Sequence, residues 1–240
     1  MSPDTRLHRG AHPDDRRLFA PKWLPALRAA TAELSWLLSH GYAMPSSLKL
    51  VGDRHSLTER QRLAVSRAAC SDASLERRRA HCLPVQSLQG AAVIIDGFNL
   101  LITLEAALAG GVVLVCRDGC LRDLASVHGT YRAVEETKAA LEVVGTALAE
   151  LKAAEVEWLF DSPVSNSGRL AQHVRDFARE RDWPWSAQAV VNPDAALLSS
   201  DKLAISSDST ILDGVARWVN HGAYLVERYV PRAWLVDLRA

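Results

Sequence analysis

The 240-residue chain has no apolar run long enough to cross a bilayer: the longest, Ala106 to Cys116, is short and broken by Gly110 and Gly111. Its first residues also lack the apolar stretch of a signal peptide, because Asp4, Arg6, His8 and Arg9 crowd them. The expectation is therefore a cytoplasmic protein with no membrane partner. Cysteine is scarce, with Cys70, Cys82, Cys116 and Cys120 alone, and such thiols are expected to be reduced rather than paired. Cys116 and Cys120 have a loose ligand-like spacing. No second close pair of Cys or His completes a zinc set, so these are expected to be structural thiols. There is no internal repeat, no low-complexity segment and no aromatic-rich RNA-recognition strand motif.

What is present is apolar content of 48%, ample for a packed core, and a charge division that the zero net charge conceals. Residues 1–90 carry 14 Lys/Arg against 8 Asp/Glu, and residues 91–240 carry 14 against 20, a split of +6 and −6. A basic half can hold a polyanion and an acidic half can hold divalent metal. In the basic half, Leu24, Leu27, Ala30, Leu34, Leu37 and Leu38 recur at helical spacing up to Gly41. Ser56-Leu57-Thr58-Glu59 fits a capping box that opens a second helix with Leu63, Val65, Ala68 and Ala69 among Arg60, Arg62 and Arg67. Between them, Tyr42 to Asp53 reads as a connector in which Lys49 could touch phosphates, as could Arg54 just beyond it. Arg77-Arg78-Arg79 reads as a solvated face.

The division into domains is expected at 84–90, a Pro-, Ser- and Gln-containing linker between a basic helical domain over 1–83 and an α/β domain over 91–240. Beyond it, β-rich runs at Val93–Ile95, Val112–Val115, Val156–Phe160, Ala187–Val191 and Leu203–Ile205 alternate with helical segments, which predicts a mostly parallel sheet covered on both faces. Tyr224–Val230 and Trp234–Leu238 are expected to add edge strands, and Trp183 and Trp185 to pack in the core.

Parallel strands bring their carboxyl ends to one edge, where α/β proteins build their sites. Asp96, Asp118, Asp161 and Asp208 fall at or just after predicted strand ends, with Asp194 at a helix start. Gathered carboxylates repel one another, and Mg²⁺ or Mn²⁺ would convert that repulsion into coordination. Asp118, in Arg117-Asp118-Gly119, reads instead as a turn residue. Asn99 could hold a metal-bound water or a phosphate beside Asp96, or cap the following helix. Ser165, Asn166 and Arg169 stand where a helix N-terminus could receive an anion, or merely cap that helix.

On Asp96-Gly97-Phe98-Asn99 after an apolar strand, Phe160-Asp161 at a middle strand end and Ser206-Ser207-Asp208 after a late strand, residues 90–215 resemble the PIN-like nucleases, most closely the NYN branch. The whole chain, on His12-Pro13-Asp14-Asp15, Leu34 to Leu38 with Gly41-Tyr42, Leu48 to Arg54 and Pro163 to Arg169, also resembles a prokaryotic family that joins an N-terminal helical domain of unknown function to this fold. The PIN-like resemblance implies a Rossmann-like α/β fold and metal-dependent hydrolysis of RNA, with Asp96 and Asp208 as metal ligands and Asp161 and Asp194 as further acids. Many PIN-like proteins place another acid two residues after the late Asp. Thr210 stands there, with Asp213 the candidate to replace it, and a catalytically inactive RNA-binding module is the alternative. A second alternative, a haloacid-dehalogenase-like phosphatase, would use Asp96 as nucleophile with Thr103, Lys202, Asp208 and Asp213. Phe98 occupies the position where that family needs a second Asp.

Overall fold

The computed structural model describes residues 8–125 and 131–239. It begins with helices: α1 (Asp15–Leu18), a 3-10 turn (Pro21–Trp23), α2 (Leu24–Ser39), α3 (Met44–Arg54), α4 (Glu59–Ala68) and α5 (Asp72–His81). The segment expected as a connector is therefore the helix α3. The capping box that opens α4 lies two residues later than expected. Thr58 is the cap, its hydroxyl taking the Gln61 N–H while the Gln61 side chain takes the Thr58 N–H at 3.1 Å. Ser56 cannot serve, because it turns left-handed (φ 52°) as the chain leaves α3.

After β1 (Cys82–Leu83) and a 3-10 turn (Val85–Leu88), the chain alternates between strand and helix. The order is β2 (Ala92–Asp96), α6 (Gly97–Leu108), β3 (Val112–Val115), β4 (Leu121–Asp123), α7 (Glu136–Glu150), β5 (Glu155–Asp161) and α8 (Ser167–Arg179). There follow β6 (Trp185–Val190), α9 (Pro193–Ser199), β7 (Leu203–Ile205), α10 (Ser209–Gly214), β8 (Trp218–Val219), α11 (His221–Tyr229) and β9 (Trp234–Asp237). The main sheet has the order β1-β8-β7-β2-β5-β6, and every pairing in it is parallel. A mostly parallel sheet was expected, but Val112–Val115 is not part of it. As β3 it pairs antiparallel with β4 and parallel with β9 in a separate three-stranded sheet. Tyr224–Val230 is not an edge strand either: it lies largely within α11, which Asn220 caps through the Ala223 N–H.

The central strand β2 is apolar throughout because both of its faces are covered. Val93 and Ile95 pack with α6, α7, α8 and α11, whereas Ile94 faces the opposite layer with Leu197 of α9 and Ile211 and Leu212 of α10. The second sheet has a different partner. Val112, Leu114, Leu124, Val236 and Leu238 share one core with Leu27, Ala30 and Leu34 of α2 and with Ala64, Val65 and Ala68 of α4. Leu88, inside the segment expected as a linker, is fully buried.

Trp183 is wedged against α7, where a Cβ at Gly145 would fall within its ring, and it is backed by Phe177 and by Trp185 at 4.9 Å. Alanine in a helix interior normally gains about 1 kcal/mol over glycine. Here overpacking outweighs it, so Gly145→Ala is expected to lose about 1–3 kcal/mol in urea denaturation; a gain would show that the indole can retreat.

Candidate functional site

The carboxyl edge of the main sheet opens on a cleft of about 810 Å³. Asp96 ends β2, Asp161 ends β5, Asp194 lies in the first turn of α9 after β6, and Asp208 follows β7; all four line this cleft. The topology thus brings together residues up to 112 positions apart in sequence (96 to 208).

Two local networks position them. Asp96 caps α6, with Oδ1 accepting the Asn99 N–H at 3.4 Å and Oδ2 accepting the Ser206 hydroxyl at 2.9 Å. The Asp208 N–H donates to the same Ser206 oxygen at 2.9 Å, and the Asp208 carboxylate caps α10 through the Thr210 N–H at 2.8 Å and the Ile211 N–H at 3.3 Å. Asn99 does not cap its own helix with its side chain. Its Oδ1 accepts the backbone N–H and the hydroxyl of Ser207, both at 2.7 Å, tying α6 to the loop after β7. Gly97 is required between Asp96 and Phe98, since a Cβ there would stand 2.7 Å from the Leu159 carbonyl oxygen and overlap the Phe160 ring. Ser206 and Ser207 were read from sequence only as part of the motif before Asp208, not as site residues. Their signal was a pair of hydroxyls between a short apolar strand and an acid.

Among the described residues none of the four cleft carboxylates has an ion-pair partner. Burial pushes the Asp96 carboxyl up to about 7, and the charges of Asp208 and Asp194 add to it against the lowering effect of the Ser206 and Asn99 hydrogen bonds. Asp194 is raised by burial and by the charges of Asp208 and Asp161. Among the described residues no three His, Cys, Asp or Glu side chains are grouped as a metal-holding set. The four acids line one cleft.

Other expected site residues lie elsewhere. Asp213 does not line the cleft; its carboxylate is held by Arg78 at 2.7 and 2.8 Å and by the Ser74 hydroxyl at 3.2 Å. Lys49 and Arg54 sit on α3, paired with Asp53 at 2.7 Å and Glu33 at 3.3 Å, outside the cleft. Ser165, Asn166 and Arg169 follow Val164 at the rim without lining it. Asn166, left-handed at φ 71°, uses its amide on the Tyr131 carbonyl at 2.9 Å. The residues of the phosphatase alternative are also engaged: Lys202 with Glu157 at 3.2 Å, and the Thr103 hydroxyl 2.9 Å from both the Asn99 carbonyl and Asp123.

The arginine run is solvated at Arg77 and Arg79, as expected, but not at its middle residue. Arg78 is buried, donating to Asp213 and, at 2.6 Å, to Asp118. Asp118 also accepts a bidentate pair from Arg122 at 2.9 and 2.7 Å. Burial alone would raise the Asp118 carboxyl, but Arg122 and Arg78 hold it down at about 2.

A parallel sheet covered on both faces, with an acid-lined cleft at its carboxyl edge and a helical region before it, places the chain among α/β proteins with a sheet-edge site. It belongs to the family described as Domain of unknown function (DUF5616), which matches residues 85–224, and residues 26–81 match Protein of unknown function (DUF434). It is 28% identical over 187 residues to Uncharacterized protein MJ0935 of Methanocaldococcus jannaschii, an alignment covering 78% of this chain and 89% of that protein. No solved structure matches.

Two outcomes follow from these charges. With a carboxyl at about 7, folded Asp96 takes up a proton that the unfolded chain, near 3.8, releases, so its contribution destabilises the fold as pH rises from 4 to 7. Asp96→Asn is therefore expected to be more stable than the parent by roughly 1–3 kcal/mol at pH 8, with the difference vanishing near pH 4; a gap independent of pH would refute the burial argument. Arg78→Met strands Asp213 and removes half of the compensation of Asp118, and is expected to cost about 3–5 kcal/mol in chemical denaturation.

Proposed function

We propose that the cleft is a divalent-metal site that hydrolyses RNA phosphodiester bonds, the activity implied by the PIN-like resemblance. The observation that carries this reading is that Asp96, Asp161, Asp194 and Asp208 share one cleft and, among the described residues, have no ion-pair partner. Carboxylates so arranged repel one another, and a cation relieves that repulsion. Asp96 and Asp208 would hold Mg²⁺ or Mn²⁺, with Asp161 and Asp194 beside them. Mg²⁺ commonly uses one or two carboxylates together with waters and substrate phosphates, so a closed cage of three protein ligands is not required.

When bound, such an ion acidifies water and neutralises charge on the phosphoryl group. The chain's own residues set the stage for that chemistry. Ser206 joins the Asp96 carboxylate to the Asp208 backbone, fixing the spacing between β2 and β7, and Asn99 holds the intervening loop through Ser207. The inactive RNA-binding reading draws on two observations: Thr210 stands where a further acid is common, and Asp213 is bonded to Arg78.

The test is purified protein with labelled single-stranded and structured RNAs, with Mn²⁺ or with EDTA. Cleavage is expected with Mn²⁺, to be abolished by EDTA, and to fall by at least about 100-fold in Asp96→Asn, the loss of a few kcal/mol of transition-state stabilisation. Cleavage insensitive to both would refute the site. RNA binding without cleavage under any metal would establish the inactive module, and release of phosphate from monoesters would establish the phosphatase.

A further inference from the structure

We propose that Arg67 is a substrate-phosphate receptor of this cleft, so that the helical region builds part of the site through one side chain. The proposal rests on the RNA reading above and extends it to the substrate's neighbouring phosphate. Two cationic side chains line the cleft among the described residues, Arg67 from α4 and Arg122 from β4. Their surroundings differ. Arg122 is 10% exposed, and all three of its guanidinium nitrogens are engaged, two of them on the Asp118 carboxylate and one on the Ser207 carbonyl at 2.8 Å. Its charge is matched in place.

Arg67 is 29% exposed, and among the described residues its hydrogen bonds go to neutral groups, the carbonyls of Asp123 and, at 3.3 Å, Ala125. The Asp123 carboxylate stands 3.7 Å away and offsets part of the charge, but its oxygens already accept the Thr103 hydroxyl at 2.9 Å and the Ala125 N–H at 2.7 Å. The Asp123 side chain is only 11% exposed against 29% for Arg67, so the arginine is the more open of the two to solvent. A guanidinium held by backbone carbonyls with donor capacity left over is well suited to a phosphate oxygen, because charge-assisted bonds to phosphate are strong and the anchor removes side-chain freedom beforehand.

The placement is firm on both sides. Ala64, Val65 and Ala68 seat α4 in the core shared with the small sheet, and Arg122 donates to the Arg67 carbonyl at 3.3 Å. RNA carries a phosphate at every nucleotide. With one phosphate at the acids, an adjacent one is received at Arg67, and phosphate contacts of this kind set register without reading sequence.

The experiment measures binding of a short labelled single-stranded RNA in EDTA across a salt series, for the parent, Arg67→Gln and Arg67→Lys. Melting temperatures are measured alongside, since Gln keeps an N–H donor for the carbonyls. Arg67→Gln is expected to weaken binding about tenfold and to make the slope of log K against log salt shallower by about 0.7, the contribution of one phosphate contact on a single strand; Arg67→Lys is expected to keep the parent slope. A merely structural arginine would lower the melting temperature and leave the slope unchanged, which overturns the proposal. Mn²⁺-dependent cleavage by the parent with binding unaltered in Arg67→Gln refutes Arg67 and leaves the nuclease reading standing. A slope change without cleavage under any metal does the reverse. No RNA binding by the parent overturns both.

Discussion

Asp118 is the carboxylate on which three parts of the molecule meet. Its side chain is 1% exposed and lies between the guanidinium of Arg78 from α5 and that of Arg122 from β4. Removing three charges from water costs several kcal/mol for each and is repaid only when every donor finds a partner. Here the partners include the site itself. Arg122 also donates to the Ser207 carbonyl, and Arg78 to the Ser209 carbonyl at 3.4 Å, so the loop that carries Asp208 hangs from the same two arginines. The geometry of the acid-lined cleft therefore depends on a cation from the helical region and one from the small sheet.

That dependence has a counterpart in the charge asymmetry of the chain. Three of the fourteen basic residues before residue 90 face carboxylates of the second part: Arg9 pairs with Glu105, Arg67 with Asp123, and Arg78 with Asp118 and Asp213. Arg9 and Arg78 are thus unavailable to an external polyanion, whereas Arg67, 3.7 Å from the Asp123 carboxylate, lines the cleft.

The sites legible in the sequence are those with local signatures. An apolar strand that ends in Asp-Gly placed Asp96, and Leu203–Ile205 followed by serines placed Asp208, because strand ends and helix caps are short-range patterns. Position on a strand could not reveal Arg78, since the run Arg77-Arg78-Arg79 has no periodicity and its partner Asp213 lies 135 residues away. For the same reason Asp213 passed as a spare cleft acid. Val112–Val115 was readable as a strand but not as a member of the second sheet, for a buried apolar run looks the same in either. The Tyr224–Val230 assignment failed because its aromatic and β-branched residues mask the cap supplied by Asn220.

The pairing of β9 with β3 has a consequence for synthesis. Val236 and Leu238 belong to the same core as Leu27 and Leu34, so the cover over α2, begun by α4 and β3, is completed only after β9 has been made. The main sheet, whose last strand β8 ends at Val219, can assemble earlier. Vectorial folding is thus inverted in this chain. Its N-terminal core is completed after its middle, and the nascent helices are the part most exposed to aggregation or to a chaperone in the interval.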